Sequence, residues 1–197
     1  MNHGWRRYSY IITIIFFVLG FFNIVFGWLG FACLILPFIL LLKNKRKKWC
    51  QNYCPRANLF SVLFRKRSLS GKAAPNWFVR GKAKWFVLTY FIFNLFVLIM
   101  STFMVLMGRR AAIEKVRFLI AFKLPWDMPN ILNLGYFPDW VIHLSFRIYS
   151  MMFTTTVLGL ILAWIYRPRT WCTVCPINTV SALILNKYKK DDMTINS

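Results

Sequence analysis

The sequence predicts an all-α integral membrane protein with four transmembrane helices, arranged as two tandem hairpin repeats. The chain of 197 residues is 58% hydrophobic and 16% charged, whereas a soluble domain carries about a quarter charged residues. Its apolar residues are collected in runs that are long enough to cross a bilayer. Two short cysteine motifs of the same kind follow the second and the fourth predicted span, so the two halves resemble each other.

The first apolar run contains two spans. Residues 10–42 carry no charge, and as one helix they would measure about 50 Å against a hydrocarbon core of about 30 Å. Asn23 and two nearby glycines interrupt the middle of the run. We therefore expect a hairpin of two short spans, over about 9–26 and 28–46.

The second half repeats this pattern with two further spans, over 85–107 and 141–166. Between them, residues 113–122 mix charged and apolar side chains at helical spacing, which predicts a short helix lying in the outer membrane interface. The chain then forms a single membrane domain, 1–197, with these parts: repeat 1 over about 9–64, a cytoplasmic connector over 65–84, repeat 2 over about 85–186, and a polar tail over 187–197.

The basic residues orient the chain. There are 26 lysines and arginines against five acidic residues, and they cluster at the ends of the apolar runs. Twenty of the 26 fall on the side that holds both cysteine motifs and both termini. An excess of lysine and arginine marks the cytoplasmic side, so we expect a multi-pass protein of the prokaryotic inner (cytoplasmic) membrane with both termini cytoplasmic. The same clustering argues against nucleic acid as a partner.

Four of the five cysteines lie in the two motifs. The first reads Trp-Cys-Gln-Asn-Tyr-Cys-Pro over residues 49–55, and the second Trp-Cys-Thr-Val-Cys-Pro over 171–176. Thiol pairs at this spacing are typical of zinc and iron–sulfur ligands. The candidate ligands are Cys50, Cys54, Cys172 and Cys175, and the residues expected to surround them are Trp49, Pro55, Trp171 and Pro176. The fifth cysteine, Cys33, is expected to lie away from them.

Two repeats deliver their motifs to the same membrane face, where two thiol pairs can form one four-thiolate site. Such a site suits zinc or a 4Fe–4S cluster. The basic neighbours favour a cluster, because they offset the negative charge of a thiolate-bound cluster. A zinc staple joining the hairpins and a copper- or metal-handling site are the alternatives. A disulfide-exchanging protein would need its thiols on the oxidising side of the membrane, whereas these cysteines are predicted on the reducing, cytoplasmic side.

With these motifs after the second and fourth spans, the chain resembles the membrane 4Fe–4S proteins. These are typified by the quinol-oxidising ferredoxin-type subunit of periplasmic nitrate reductase systems and by the membrane part of the nitrous-oxide reductase regulator. The resemblance covers most of the chain, although the second motif has two intervening residues where that family usually has three. It implies a subunit or accessory that transfers electrons between a membrane donor and a redox partner protein, rather than a stand-alone enzyme.

One ionisable pair lies within a predicted span. His143 and Arg147 are four residues apart and so share a helix face, and such a pair inside a membrane is a candidate functional site. A quinone or quinol headgroup is a candidate ligand for the pair. Membrane lipid is the expected partner around the helices. A bis-histidine haem is excluded, because His3 is expected at the opposite face.

Overall fold

The computed structural model describes residues 3–47, 49–64, 74–75, 78, 81–113, 115–119, 122–123 and 137–195, and the side chains of 3–7, 51, 123 and 189–195 are outside this description. Most of the connector predicted over 65–84 lies outside the described residues. The described elements are α1 (His3–Phe22), a 3₁₀ helix (Ile24–Trp28), α2 (Leu29–Asn44), a π-helical turn (Trp49–Tyr53), α3 (Pro55–Phe64), α4 (Ala83–Leu106), β1 (Arg117–Phe118), β2 (Phe122–Lys123), α5 (Asp139–Ile165), α6 (Thr170–Val174) and α7 (Pro176–Ile195).

Three stretches of helix are long and apolar enough to cross a membrane: Ile24–Asn44, Ala83–Leu106 and Asp139–Ile165. The apolar part of α1, Tyr8–Phe22, is shorter, at about 22 Å. The protein is therefore an all-α protein in its main architecture, and its composition is that of a multi-pass membrane protein.

The long apolar run breaks at Asn23, as its sequence predicted. The Asn23 Oδ1 accepts a hydrogen bond of 2.9 Å from the Val25 backbone N–H, which caps the 3₁₀ helix. Gly27 lies against α5, where an added Cβ would stand 2.8 Å from the Ser145 carbonyl oxygen. The turn between α1 and α2 is thus fixed by a cap and by a close approach of two backbones.

Helix α5 is the centre of the molecule. In the most apolar 18 residues of α5, 44% of the residues are buried, against 11% in the corresponding stretch of α4. On its buried side Ile148 and Tyr149 pack against the first helical pair, and Gly159 lies against the ring of Phe60 on α3. Helix α4 covers α5 from outside and presents most of its apolar side chains outward.

The prediction of an interfacial helix over 113–122 is wrong. Within the described residues, this segment contains the antiparallel pair β1 and β2, with Arg117 opposite Lys123 and Phe118 opposite Phe122. At the turn, Leu119 has φ 50°, which is incompatible with a continuous right-handed helix. The short strands, Arg117–Phe118 and Phe122–Lys123, form what we call the β hairpin.

The hairpin runs along α5 because α5 supplies polar side chains to its backbone. Three backbone N–H groups donate to side chains of α5: Ile113 to His143 Nδ1 (3.2 Å), Arg117 to Ser150 Oγ (3.0 Å), and Leu119 to Thr154 Oγ1 (3.3 Å). Positions 143 and 154 are about 16 Å apart along a helix. The segment therefore extends along α5 for about three turns.

We expect Gly159→Ala to lower the free energy of unfolding by about 1–3 kcal/mol, as overpacked cores do. An added Cβ would lie 2.3 Å from the Phe60 ring, and Phe60 is fully buried, so the ring has little room to move. Thermal unfolding in detergent measures the change. Adding Phe60→Leu should make the cost of Gly159→Ala smaller; equal costs in both backgrounds would contradict the packing.

Candidate functional site

The two cysteine motifs fold as single helical turns of different pitch. In the first, the Cys54 backbone N–H donates to the Trp49 carbonyl oxygen at 2.9 Å, a bond spanning five residues that defines a π turn. In the second, the two cysteines lie on and just after the α-helical turn α6. The wider turn takes up the additional residue of the first motif. Both motifs therefore end alike despite their unequal spacing.

In each motif the proline begins a helix, and the cysteine before it closes the first helical hydrogen bond. The carbonyl of Cys54 accepts from the Asn58 N–H at 3.2 Å, and that of Cys175 from the Thr179 N–H at 3.0 Å. Proline suits the first helical position because it has no N–H to leave unpaired. Pro55 and Pro176 thus fix Cys54 and Cys175 at equivalent helix N-termini.

The structure brings both motifs to one cavity, which we call the thiol cavity. It has a volume of about 360 Å³, and its wall includes all four motif cysteines with Trp49 and Trp171. Cys33 of α2 also lines it, contrary to the expectation that it would lie elsewhere. Nothing in the sequence around Cys33 indicated this position, because it depends on how α2 packs on the motif that follows it.

Basic side chains line the same cavity and join the two halves of the chain. The cavity wall contains Lys47, Arg56 and Arg169. Each of the three donates a hydrogen bond to the other half: Lys47 Nζ to Asn178 Oδ1 (3.2 Å), Arg169 Nε to Ser61 Oγ (3.3 Å), and Arg56 Nη1 to Thr155 Oγ1 (2.6 Å). The positive charges were expected from the sequence, whereas their partners Asn178, Ser61 and Thr155 were not.

Burial is the largest influence on the pKa values of Cys50, Cys172 and Cys175. It raises the pKa of Cys50 to about 11, with a further contribution from Cys175, and it raises the pKa of Cys172 to about 12, with a further contribution from Cys54. These second contributions come from the opposite motif, so the thiols of the two motifs are close enough to interact. Burial also raises the pKa of Cys175, which Arg56 and the N–H groups of α7 oppose.

The four motif thiols line the wall of one cavity. Among the described residues, no three Cys, His, Asp or Glu side chains form a group that could hold a single metal ion. A structural zinc ion needs four ligands at about 2.0–2.3 Å from one centre. A 4Fe–4S cluster is larger, and its four cysteines bind four different iron atoms. The thiol cavity brings together four motif cysteines, which is the number that such a cluster takes.

His143 and Arg147 are not among the residues that line the thiol cavity. His143 is 2% exposed, and its Nδ1 accepts from the Ile113 backbone N–H at 3.2 Å, so its Nε2–H donates to Ser101 Oγ at 3.0 Å. Both ring nitrogens thus form hydrogen bonds within the protein, and these bonds join α5 to Ile113 and to α4. Arg147 lines a second cavity, between α4 and α5.

We expect His143→Ala to lower the free energy of unfolding by about 1–3 kcal/mol, because it leaves the Ile113 N–H without its acceptor. The iron content of the purified protein should not change, since His143 is outside the thiol cavity. Thermal unfolding and metal analysis of the same sample test both statements. Loss of iron from a folded His143→Ala variant would contradict this assignment.

The raised thiol pKa values predict slow alkylation of the metal-free protein. With Cys172 as the sole cysteine, its reaction with iodoacetamide should be slow at pH 7.5 and rise about tenfold per pH unit up to pH 10, because only the thiolate reacts. The control is a cysteine-free chain carrying Asn186→Cys, at an exposed position, whose rate should level off above about pH 9. Identical profiles would contradict the burial of Cys172.

Comparison with known proteins identifies the cofactor class of this site. The 4Fe-4S binding domain family matches residues 26–83 and 149–191, which together make up just over half of the chain. Each matched segment contains one cysteine motif and all or most of the helix that the following proline begins. No curated protein and no solved structure matches the chain. The chain belongs to the 4Fe-4S binding domain family.

Proposed function

We propose that this protein is a membrane-bound electron-transfer protein that holds one 4Fe–4S cluster between its two cysteine motifs, at the cytoplasmic face. Family membership supplies the cofactor. The observation that carries the proposal is that Cys50, Cys54, Cys172 and Cys175 line one cavity. A cluster of this type takes four cysteine thiolates, and each motif supplies only two, so both halves of the chain are needed for one site.

The residues around the thiol cavity suit this role. When bound, a 4Fe–4S cluster supplies one-electron redox chemistry, for which the protein sets position and potential. Lys47, Arg56 and Arg169 bring positive charge to the cavity, which favours the more negative, reduced state. Trp171 and Phe60 form apolar parts of the wall, and they limit the access of water. The Ile177 and Asn178 backbone N–H groups lower the pKa of the Cys175 thiol, which favours its thiolate.

We infer a four-span topology of two hairpins, α1 with α2 and α4 with α5. Helix α1 is the shortest candidate span, and its supports are its packing against α3, where Asn58 Nδ2 donates to Ser9 Oγ, and the capped turn that follows it. The two spans between the motifs return the chain to the same side. The basic residues around both motifs make that side cytoplasmic, in a prokaryotic inner membrane with both termini inside.

We infer that the protein works as a subunit or accessory of a larger redox system. Its similarity to the quinol-oxidising ferredoxin-type subunit of periplasmic nitrate reductase systems, and to the membrane part of the nitrous-oxide reductase regulator, supports a membrane quinol as the donor. The acceptor is then a redox partner protein. Two basic residues of the thiol cavity wall can contact such a partner, because Arg169 is exposed and Lys47 is partly exposed.

Replacing the motif cysteines tests the ligand set. We expect the protein purified without oxygen to be brown and to contain about four iron atoms per chain, and we expect Cys50→Ser and Cys175→Ser each to lose most of this iron. Each of these variants leaves three thiolates for four iron atoms, so one iron is open to solvent and exchange. Cys33→Ser is the matched control, because Cys33 lines the same cavity but lies outside both motifs, and it should keep the iron.

Metal analysis and the visible spectrum of each variant give the answer. A colourless protein that contains zinc or copper would contradict the cluster and would mean that the same thiols form a structural or metal-handling site. Loss of iron from Cys33→Ser, with retention in Cys50→Ser, would show that a different set of four thiols binds the cluster.

A further inference from the structure

A second cavity lies between α4, α5 and the β hairpin, and we call it the arginine cavity. Its volume is about 360 Å³, within the range of small-molecule sites. Most of its wall is apolar, with Phe86, Phe91 and Leu98 from α4 and Met151 and Leu158 from α5. Phe86 is 75% exposed, so the cavity lies next to the lipid-facing surface of the peripheral helix.

Among the polar residues of this wall, three carry buried atoms that lack a described hydrogen-bond partner. Arg147 comes from α5, Arg117 from the β hairpin and Tyr90 from α4. The Nε atoms of both arginines and the Oη of Tyr90 are buried, and none has a hydrogen-bond partner among the described residues. Leaving a buried polar group unpaired costs about 1–3 kcal/mol, and more for a charged group. Three such groups on one cavity, from three elements, indicate a missing oxygen-bearing partner.

Charge points to the same kind of partner. Asp139 is the one carboxylate whose side chain the structure describes, and it lies two turns of α5, about 12 Å along the helix, from Arg147. Two guanidinium groups therefore share a mostly apolar cavity without a described carboxylate beside them. Guanidinium groups donate in a fixed fork that matches carbonyl, phosphate and other oxygen acceptors. A ligand that completes the cavity needs an electron-rich oxygen headgroup and an apolar body.

The arginine cavity adjoins the thiol cavity. Trp171 lines both cavities, and Pro176, which follows Cys175, lines the arginine cavity. Between the two, Arg56 donates to Thr155, another residue of the arginine cavity wall. A ligand in the arginine cavity is therefore separated from the thiols by a single layer of side chains, and Trp171 is the shared part of that layer.

We propose that the arginine cavity binds a membrane amphiphile through headgroup oxygens that accept hydrogen bonds from Arg117, Arg147 and Tyr90. The apolar body of the ligand lies along α4, toward the lipid. A quinone, with its ring carbonyl oxygens, and an anionic phospholipid, with its phosphate, share this chemistry. The proposal rests on the cavity and its unpaired donors, and it holds whether or not the thiols carry a cluster.

Binding to defined probes tests the proposal. The protein is placed in phosphatidylcholine nanodiscs, and its thermal unfolding is followed with a decyl-tailed benzoquinone or with dioleoyl phosphatidylglycerol added. A ligand that binds the folded state raises the unfolding temperature in proportion to its occupancy. At least one probe should stabilise the unmodified protein, and the one that does identifies the source of the headgroup.

Substitutions locate the probe. Arg117→Gln and Arg147→Gln should each weaken binding by about tenfold to a hundredfold, and Tyr90→Phe by about threefold to tenfold. Tyr90→Phe removes a hydroxyl that has no described protein partner, so the fold should stay intact. The control, Arg109→Gln, removes an exposed charge outside the cavity and should bind as the unmodified protein does.

Filling the cavity gives a test that leaves all three donors in place. Asn94 lines the cavity from α4, and Asn94→Phe should abolish stabilisation by the probe. The proposal is overturned if neither probe stabilises the unmodified protein. It is also overturned if Tyr90→Phe and Asn94→Phe bind the probe as tightly as the unmodified protein.

Discussion

The rest of the structure depends on one requirement, that two pairs of thiols more than a hundred residues apart face the same cavity. A single motif offers two ligands, and a 4Fe–4S cluster takes four. In the topology that we propose, α4 and α5 both cross the membrane between the motifs, and two spans return the second pair to the side of the first. Three basic side chains then bridge the halves around the cavity. The cysteines and the basic residues therefore form one unit, which neither half can complete alone.

Helix α5 connects this unit to the membrane. Its apolar side packs on the first hairpin, and its polar side chains, His143, Ser150 and Thr154, hold the backbone of the β hairpin. That contact brings Arg117 beside Arg147 and creates the arginine cavity. In a membrane, non-helical backbone is tolerated where protein buries it or where it lines a cavity, and the hairpin satisfies this condition. One helix thus positions the thiols at its end and the two arginines along its length.

The sequence contained the features that are local. The break at Asn23 followed from a polar residue and two glycines in an apolar run. The cysteine spacing allowed zinc or a cluster, and the basic neighbours of the motifs favoured the cluster. The β hairpin could not be found in this way, because its backbone is paired by side chains about 30 residues further along the chain, and its own residues have helical spacing. The place of Cys33 was missed for the same reason, since it depends on packing between helices. The unequal spacing of the two motifs proved to be a difference in turn type, π against α, which the spacing alone does not reveal.

Spin quantification by electron paramagnetic resonance tests the shared site most directly. After chemical reduction, the unmodified protein should give the signal of one reduced 4Fe–4S cluster, about one spin per chain. The double variant Cys50→Ser/Cys54→Ser, which keeps the second motif whole, should give almost none. The account would be contradicted by two spins per chain in the unmodified protein, or by a cluster signal that persists in the double variant, because either result would mean that one motif can hold a cluster alone.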